Sequence, residues 1–338
     1  MAPTLCSSPV ARTAFVSGGT GFVGRHVVEQ LTELGWRVVA LHRPSSDVRH
    51  LAAYGAELRV GSITDPESLA RAMPEGCDAV FHVAGNTSLW SGGDAEQTRE
   101  NVDGTRFMVE AALAKKAKRF IHTSTEGAWG EQPDVFDETA TSNALSSPIN
   151  YERSKYLGER EVDAGIARGL QACVMCPAHV VGKYDTSQWA RMIVLVQRGK
   201  LPGVPPGKGT WAHATQVAKA HVAAVDRGRS GARYLLGGAW ETYLEAIQII
   251  GRLTGKKVPA RPMPVPLIRA LGRVSQWASY VTRRAPTVTP EIALGLSRPP
   301  HLFKSDRAVR ELGYEAVPLE EMLRESYEWL KDQGLLGA

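Results

Sequence analysis

The sequence contains few cysteines and no long apolar segment. Four cysteines in 338 residues are too few for a disulfide-stabilised scaffold. No apolar run approaches the roughly 20 residues that a membrane-spanning helix needs, and segment 1–12 lacks the apolar centre of a secretory signal. We therefore expect a cytoplasmic protein without a spanning segment, in which residues 1–12 form a flexible tail.

The chain also has little net charge. The 40 Lys and Arg residues exceed the 35 Asp and Glu residues by only five, and the excess is spread along the chain. This balance suits an anionic cofactor and a small-molecule substrate, and it does not indicate a nucleic-acid partner. Cys173 and Cys176 form a C-x-x-C pattern inside an apparent strand, where an offset of three sends the side chains to opposite faces. We therefore predict two buried thiols and no metal site.

The distribution of apolar residues, which make up 43% of the chain, predicts the fold class. Short apolar runs that predict buried parallel strands cover Thr13–Ser17, Arg37–Leu41, Glu57–Val60, Ala79–Val83, Arg119–Thr123 and Gln171–Cys176. Amphipathic segments that predict helices cover Phe22–Leu34, Pro66–Ala72, Glu96–Lys116 and Tyr151–Arg168. The alternation indicates an α/β fold, a Rossmann-type doubly wound parallel sheet.

The pattern loosens after residue 177. We assign residues 13–177 to an NAD(P)-binding Rossmann domain, and residues 178–338 mainly to a smaller C-terminal substrate-binding lobe with returns to the sheet. Within that lobe, apolar residues spaced three and four apart predict an amphipathic helix over 264–281. Packing within the lobe is favoured over a dimer contact or a shallow membrane contact for this helix.

A glycine-rich turn follows the first predicted strand. It reads Ser17-Gly18-Gly19-Thr20-Gly21-Phe22-Val23-Gly24 and leads into the first predicted helix. Glycines allow the backbone to approach a pyrophosphate, and the helix N-terminus presents free N–H groups to the anion. The position between strand and helix favours a dinucleotide site over an ordinary glycine-rich turn.

The end of the second strand bears on the choice of dinucleotide. An NAD site usually has Asp or Glu near this point, but the sequence has His42 and Arg43. A guanidinium there would attract a ribose 2′-phosphate. We therefore expect NADP(H) as the preferred cofactor, with NAD(H) possible and a solvated loop charge as the alternative role for Arg43.

Candidate catalytic groups lie on a helix and at a strand end. Tyr151 and Lys155 are four residues apart and share one helix face. A nearby ammonium favours the phenolate and makes the tyrosine a better proton shuttle, although such a pair is often only an exposed helical pair. Ser124 and Thr125 follow the fifth predicted strand, at the edge where parallel sheets bind ligands, and local turn bonding is the alternative for these hydroxyls.

These residues carry a family resemblance. The motifs are GGTGFVG at Gly18, FHVAG at Phe81, NVDGT at Asn101, TST at Thr123, YERSK at Tyr151 and PAHVVG at Pro177. The chain resembles an extended short-chain dehydrogenase/reductase of the NAD-dependent epimerase/dehydratase superfamily, in its dihydroflavonol-reductase-like branch. The match extends over nearly the whole chain. Dimers are common in this family, so a homodimer is possible.

The resemblance implies roles for individual residues. Tyr151 would be the acid/base, Lys155 would bond the nicotinamide ribose and lower the tyrosine pKa, Thr125 would be the catalytic hydroxyl, and Asn101 would be structural or part of a proton relay. The implied cofactor-binding residues are Gly18, Thr20, Gly21, Phe22, Val23, Gly24, Arg43, Ser62, Ile63, Val83, Ala84, Gly85, Lys155, Pro177 and Val180. Ser62 departs from the Asp that relatives usually have there.

Substrate contacts are predicted from position alone. The candidates are Trp90, Glu126, His179 and Tyr184, each of which could instead be a packed or solvated side chain. The resulting hypothesis is an NADP(H)-dependent oxidoreductase that interconverts a ketone or aldehyde and an alcohol on a small to medium, partly apolar substrate. The alternatives are a 3β-hydroxysteroid or isoprenoid-type dehydrogenase, a sugar-nucleotide epimerase, and a non-catalytic nucleotide-binding protein.

Overall fold

A seven-stranded sheet forms the centre of the computed structural model, which describes residues 11–187, 189–282, 294 and 302–337. The predicted tail lies almost entirely outside these residues. The strands are β1 Thr13–Ser17, β2 Arg37–His42, β3 Glu57–Val60, β4 Ala79–His82, β5 Phe120–Thr123, β6 Ala172–Pro177, β7 His179–Val181, β8 Lys208–His213, β9 Arg233–Leu236 and β10 Ala239–Thr242.

The large sheet has the order β3-β2-β1-β4-β5-β6-β9, and all its pairs are parallel. This confirms the predicted Rossmann-type α/β fold. The order reverses between β1 and β4, where Ser17 is paired with His82. In such sheets ligands bind beyond the carboxyl ends of the strands at this reversal.

Helices cover both faces of the sheet. They are α1 Phe22–Glu33, α2 Arg49–Ala53, α3 Pro66–Ala72, α4 Asp94–Thr98, α5 Gly104–Ala114, α6 Asn150–Ala167, α7 Trp189–Gln197, α8 Ala214–Arg227, α9 Tyr243–Thr254, α10 Val265–Thr282, α11 Asp306–Leu312 and α12 Leu319–Asp332. Side chains alternate along β1, so that Ala14 and Val16 pack with α1, α8 and α11, whereas Phe15 packs with α3, α5 and α6. Burial on both faces explains why the central strands β1, β4, β5 and β6 are mostly apolar, whereas the edge strand β3 has the charged residues Glu57 and Arg59.

The two cysteines of β6 follow the same alternation. Cys173 belongs to the core on the α1 side, and Cys176 belongs to the core on the α5 side. The predicted separation onto opposite faces is therefore confirmed.

The helix predicted over Glu96–Lys116 is interrupted. Between α4 and α5 the chain forms a π-helical turn over Arg99–Asp103. Such turns insert an extra residue into a helix and often occur at functional sites. Here the turn contains Asn101, whose side chain is buried and hydrogen-bonded to backbone and side-chain groups of other segments.

The C-terminal part of the chain builds a second layer beside the strand ends. A small sheet has the order β10-β8-β7 and shares a core with α7, α9 and α12. Between these elements, β9 returns to the large sheet beside β6. The amphipathic helix predicted over 264–281 is α10, of which Ile268 is buried, while Leu267 and Val274 are exposed. Among the described helices, none has both the length and the apolar character needed to cross a membrane.

Two leucines at the end of α1, one buried and one exposed, allow the packing of this helix on the core to be tested. Leu31 is 0% exposed and Leu34 is 63% exposed. We expect Leu31→Ala to lower the free energy of unfolding by about 2–5 kcal/mol, because it removes a buried side chain and leaves a cavity. The matched control Leu34→Ala is expected to change it by no more than about 0.5 kcal/mol. Urea denaturation measures both, and equal losses would contradict the assignment of this face to the core.

Candidate functional site

The glycine-rich turn connects β1 to α1 through a close backbone crossing. The Gly21 N–H donates to the Gly18 carbonyl at 2.9 Å, and Gly18 has a φ of +76°. A Cβ on Gly18 would lie 2.5 Å from the Ala84 nitrogen, and one on Gly24 would collide with the Gly18 carbonyl. Only glycine therefore allows the turn to lie against the residues that follow β4.

A cavity of about 490 Å³ opens beside this turn. Gly18, Thr20 and Gly21 line it, and no described side chain caps the N-terminus of α1 or places an acidic group in its first turn. The free N–H groups and the positive end of the helix dipole suit a pyrophosphate. The close backbone approach at Gly18, which a Cβ would block, and the uncapped N-terminus of α1 together fit a dinucleotide.

Other parts of this cavity contain further residues predicted to bind the cofactor. Arg43, Ser62 and Ile63 line it, and so do Ala84 and Gly85. The Ser62 hydroxyl lies 2.9 Å from that of Thr64 and also accepts the Thr64 N–H. Ser62 thus stabilises its own loop, which is the structural use of the residue found in place of the usual Asp.

A second cavity of about 300 Å³ adjoins the first, since Val83, Gly85 and Thr87 line both. Thr125, Tyr151 and Lys155 converge in it. The other predicted cofactor residues on its wall are Phe22, Val23, Pro177 and Val180. Of the predicted cofactor residues, Gly24 is placed in the packing behind the turn rather than on a cavity wall.

The Tyr151 hydroxyl is held beside Thr125. Burial raises the pKa of Tyr151 above its usual range, and a hydrogen bond with Thr125 acts in the opposite direction. Thr125 itself donates to the Glu126 carboxylate at 2.8 Å and accepts the Gly127 N–H at 3.2 Å. Tyr151 is therefore a neutral phenol at physiological pH, which is the form that donates a proton.

Lys155 is a buried ammonium. Its Nζ donates to the Thr123 carbonyl at 2.7 Å, at the end of β5. Burial lowers the pKa of Lys155 to about 8, and the charge of Glu159 opposes this shift. Glu159 in turn accepts from the Ser124 hydroxyl at 2.5 Å and from Arg233 at 2.6 Å. The predicted effect of Lys155 on the tyrosine pKa stays a prediction.

Asn101 connects two segments of the site. Its Oδ1 accepts the Asn86 N–H at 2.8 Å, and its Nδ2 donates to the Asn86 carbonyl and to the Ser154 hydroxyl. The amide therefore ties the loop after β4 to α6. This arrangement supports the structural role among the two that the resemblance implies.

Two of the predicted substrate residues lie elsewhere. The Tyr184 hydroxyl donates to Glu29 of α1 at 2.8 Å, and Tyr184, which has a φ of +72°, lines neither cavity. The Trp90 indole packs over Gly92 in the loop before α4. Glu126 and His179 do line the second cavity.

Three residues that the motif analysis passed over belong to this region. Glu100 lines the first cavity and lies beside Arg43, and Glu159 approaches Lys155. Tyr243 bonds His179 from the lobe. Glu159 could have been found from its spacing of four after Lys155 on one helix face, and Glu100 from its place before the NVDGT motif.

Comparison with known proteins agrees with the site. The model of the NAD dependent epimerase/dehydratase family matches residues 14–237. The chain is 28% identical to sterol demethylase protein B of Methylococcus capsulatus, over 96% of this chain and all of that protein. It is also 28% identical to a dihydroflavonol 4-reductase-like protein of Synechocystis sp., over 95% of each. The crystal structure of gox2253 superimposes with a TM-score of 0.83 at 31% identity, covering 96% of this chain and 99% of that one.

Gly18 and Gly35 form a matched pair for testing whether the glycine-rich turn binds the dinucleotide. Gly35 has nearly the same φ, +75°, but a Cβ there would meet open space. We expect Gly18→Ala to weaken NADPH binding by about a hundredfold or more, because the new Cβ displaces the turn from the segment after β4. Gly35→Ala is expected to leave the dissociation constant unchanged despite a backbone strain of about 1–2 kcal/mol. Fluorescence titration with NADPH measures the dissociation constants of both variants. Equal losses of affinity would exclude the glycine-rich turn as the dinucleotide-binding site.

The lowered pKa of Lys155 predicts a pH dependence of cofactor binding. The ammonium loses its charge as the pH rises through about 8, so the attraction of this cavity wall for an anionic dinucleotide falls above that value. We expect the NADPH dissociation constant to increase between pH 7 and pH 9.5. Lys155→Met is expected to bind more weakly at pH 7 and to lack this titration, and a variant that kept the same pH profile would contradict the assignment.

Proposed function

Because this chain belongs to the NAD dependent epimerase/dehydratase family and is an NAD(P)-dependent oxidoreductase, we propose that it is an NADP(H)-preferring carbonyl reductase. It would interconvert a ketone or aldehyde and an alcohol on a small to medium, partly apolar substrate. The observation that carries the proposal is the meeting of Thr125, Tyr151 and Lys155 in a cavity that adjoins the dinucleotide cavity.

When bound, the dinucleotide supplies the hydride. Tyr151 supplies the proton to the carbonyl oxygen, since burial keeps its pKa high and its hydroxyl protonated. Thr125, which is hydrogen-bonded to Tyr151, orients the same oxygen by donating to it once its hydroxyl turns away from Glu126. Alcohol oxidation uses the same groups in reverse, with Tyr151 as the group that accepts the proton.

Lys155 holds the cofactor side of the site in this proposal. Its hydrogen bond to Thr123 fixes the ammonium below the end of β5, on the wall shared with Tyr151 and Thr125. An ammonium at that place attracts the ribose hydroxyls and the anionic dinucleotide. Its charge also favours the tyrosinate that forms when Tyr151 gives up its proton.

The aromatic wall of the second cavity supports a partly apolar substrate. Trp189 lines the cavity and stacks on Tyr243 with ring centres 5.9 Å apart, and both rings contact Trp211. Glu126 and His179 add polar groups to this wall. A flat or apolar body would pack on the rings, while the two polar groups would orient a substituent.

The preference for NADP(H) rests on Arg43. It lies just beyond β2 and lines the first cavity with an exposed guanidinium. A guanidinium fits a 2′-phosphate through charge-assisted hydrogen bonds.

A second candidate is a 3β-hydroxysteroid or isoprenoid-type dehydrogenase. The relative from Methylococcus capsulatus carries the name of a sterol demethylase protein, which favours this substrate class. The catalytic groups would be the same, and only the occupant of the apolar wall would differ.

The test measures NADPH oxidation by the purified protein with a panel of aromatic, alkyl and steroid ketones and aldehydes. We expect Tyr151→Phe to lower kcat/KM by about 10²–10⁴-fold, because the general acid is lost. The matched control is Tyr156→Phe, which removes a hydroxyl from the same helix, where that ring packs against Arg160. It is expected to retain full activity.

The outcomes separate the candidates. Turnover restricted to steroid ketones would favour the second candidate. Turnover that survives Tyr151→Phe would exclude the proposed mechanism. Binding of NADPH without turnover of any carbonyl would favour a sugar-nucleotide enzyme or a nucleotide-binding protein instead.

A further inference from the structure

An ion pair crosses the adenosine end of the dinucleotide cavity. The Arg43 Nη1 lies 3.7 Å from the Glu100 Oε1, and both residues line the cavity of about 490 Å³. Arg43 follows β2 on one wall, whereas Glu100 lies in the π-helical turn Arg99–Asp103 on the other. The guanidinium expected to bind a 2′-phosphate therefore already has a carboxylate partner.

The side chains of Glu100 and Arg43 differ in how firmly they are held. The Glu100 side chain is 20% exposed, and its Oε2 accepts the Asn86 Nδ2 at 2.8 Å. The Arg43 side chain is 68% exposed. The carboxylate is therefore fixed in the cavity wall, and the guanidinium is the group that can move toward a ligand.

The charges around this end of the cavity oppose a phosphate. Two carboxylates, Glu96 and Glu100, line the same cavity as Arg43. A phosphomonoester carries about −1.5 to −2 charges at pH 7. It must compete with Glu100 for the guanidinium and is repelled by the carboxylate itself. A ribose 2′-hydroxyl is uncharged and meets neither obstacle.

We propose that Glu100 limits the preference for NADP(H) over NAD(H) by competing with the 2′-phosphate for Arg43. The proposal rests on the proposed function through the assignment of Arg43 to the phosphate. It makes Glu100 a specificity-determining residue, and it predicts that the wild-type protein binds both dinucleotides.

The test is equilibrium binding to the full chain. Fluorescence titrations measure NADPH and NADH, and competition with 2′,5′-ADP and ADP isolates the 2′-phosphate. Glu100→Gln removes the charge and keeps an acceptor for Asn86. We expect it to tighten NADPH binding by about two- to fivefold and to leave NADH binding nearly unchanged, a size in keeping with a partly exposed charge pair. Glu100→Asp, which withdraws the carboxylate by one methylene, should shift the ratio in the same direction and serves as a second variant.

Two further variants separate competition from general repulsion. Glu96→Gln removes the same charge from the same cavity wall and should change the NADPH to NADH ratio much less than Glu100→Gln. In an Arg43→Ala background, Glu100→Gln should no longer favour NADPH, because the shared partner is gone. An unchanged or lower ratio in Glu100→Gln, or an equal effect of Glu96→Gln, would overturn the proposal.

The failure of this inference is distinguishable from failure of the proposed function. If Arg43→Ala leaves the ratio unchanged, the assignment of Arg43 itself is wrong. If Arg43→Ala lowers the ratio but Glu100→Gln does not raise it, only the competition is excluded. Neither result depends on finding a substrate.

Discussion

The buried ammonium of Lys155 is the constraint on which the arrangement of the site depends. A charge removed from water must be compensated by hydrogen bonds and opposite charge. Here the Thr123 carbonyl provides the bond, and Glu159 provides the charge. The Lys155 bond to Thr123 joins α6 to the end of β5, and the bond from Ser124 to Glu159 joins the same two elements. Since Tyr151 precedes Lys155 by one helical turn and Thr125 follows Thr123 by two residues, satisfying the ammonium also brings the two catalytic hydroxyls together.

A close backbone contact places the first cavity beside Lys155, Tyr151 and Thr125. The turn at Gly18 lies directly against the backbone at Ala84, at the reversal of strand order between β1 and β4. The neighbouring residues Val83 and Gly85 face both cavities. In the proposed function, the contact that would admit the pyrophosphate would therefore also determine how the nicotinamide end meets Tyr151. Cofactor binding and proton transfer would then depend on the same pair of strand ends.

The features that sequence reasoning missed are contacts between distant segments. Tyr184 is an aromatic residue two positions after PAHVVG and a reasonable pocket candidate, but its hydroxyl donates to Glu29 on α1. Glu100 stands just before the NVDGT motif, but its contact with Arg43 comes from the π-helical turn in which it lies. Helical periodicity cannot predict such a turn, because the turn depends on how Asn101 satisfies its buried amide.

The sequence by itself determined the parallel α/β fold and the glycine turn, and it singled out Tyr151, Lys155 and Thr125 as candidate catalytic residues. Those features are local, since strand apolarity, glycine spacing and the four-residue helical repeat act over a few neighbouring residues. Only the tertiary structure decided which side chains share a cavity: Trp189 and His179 line the second cavity and Tyr184 does not, while Glu100 lies beside Arg43. Such pairings join segments dozens of residues apart, so they depend on strand order and loop direction, which no local pattern specifies.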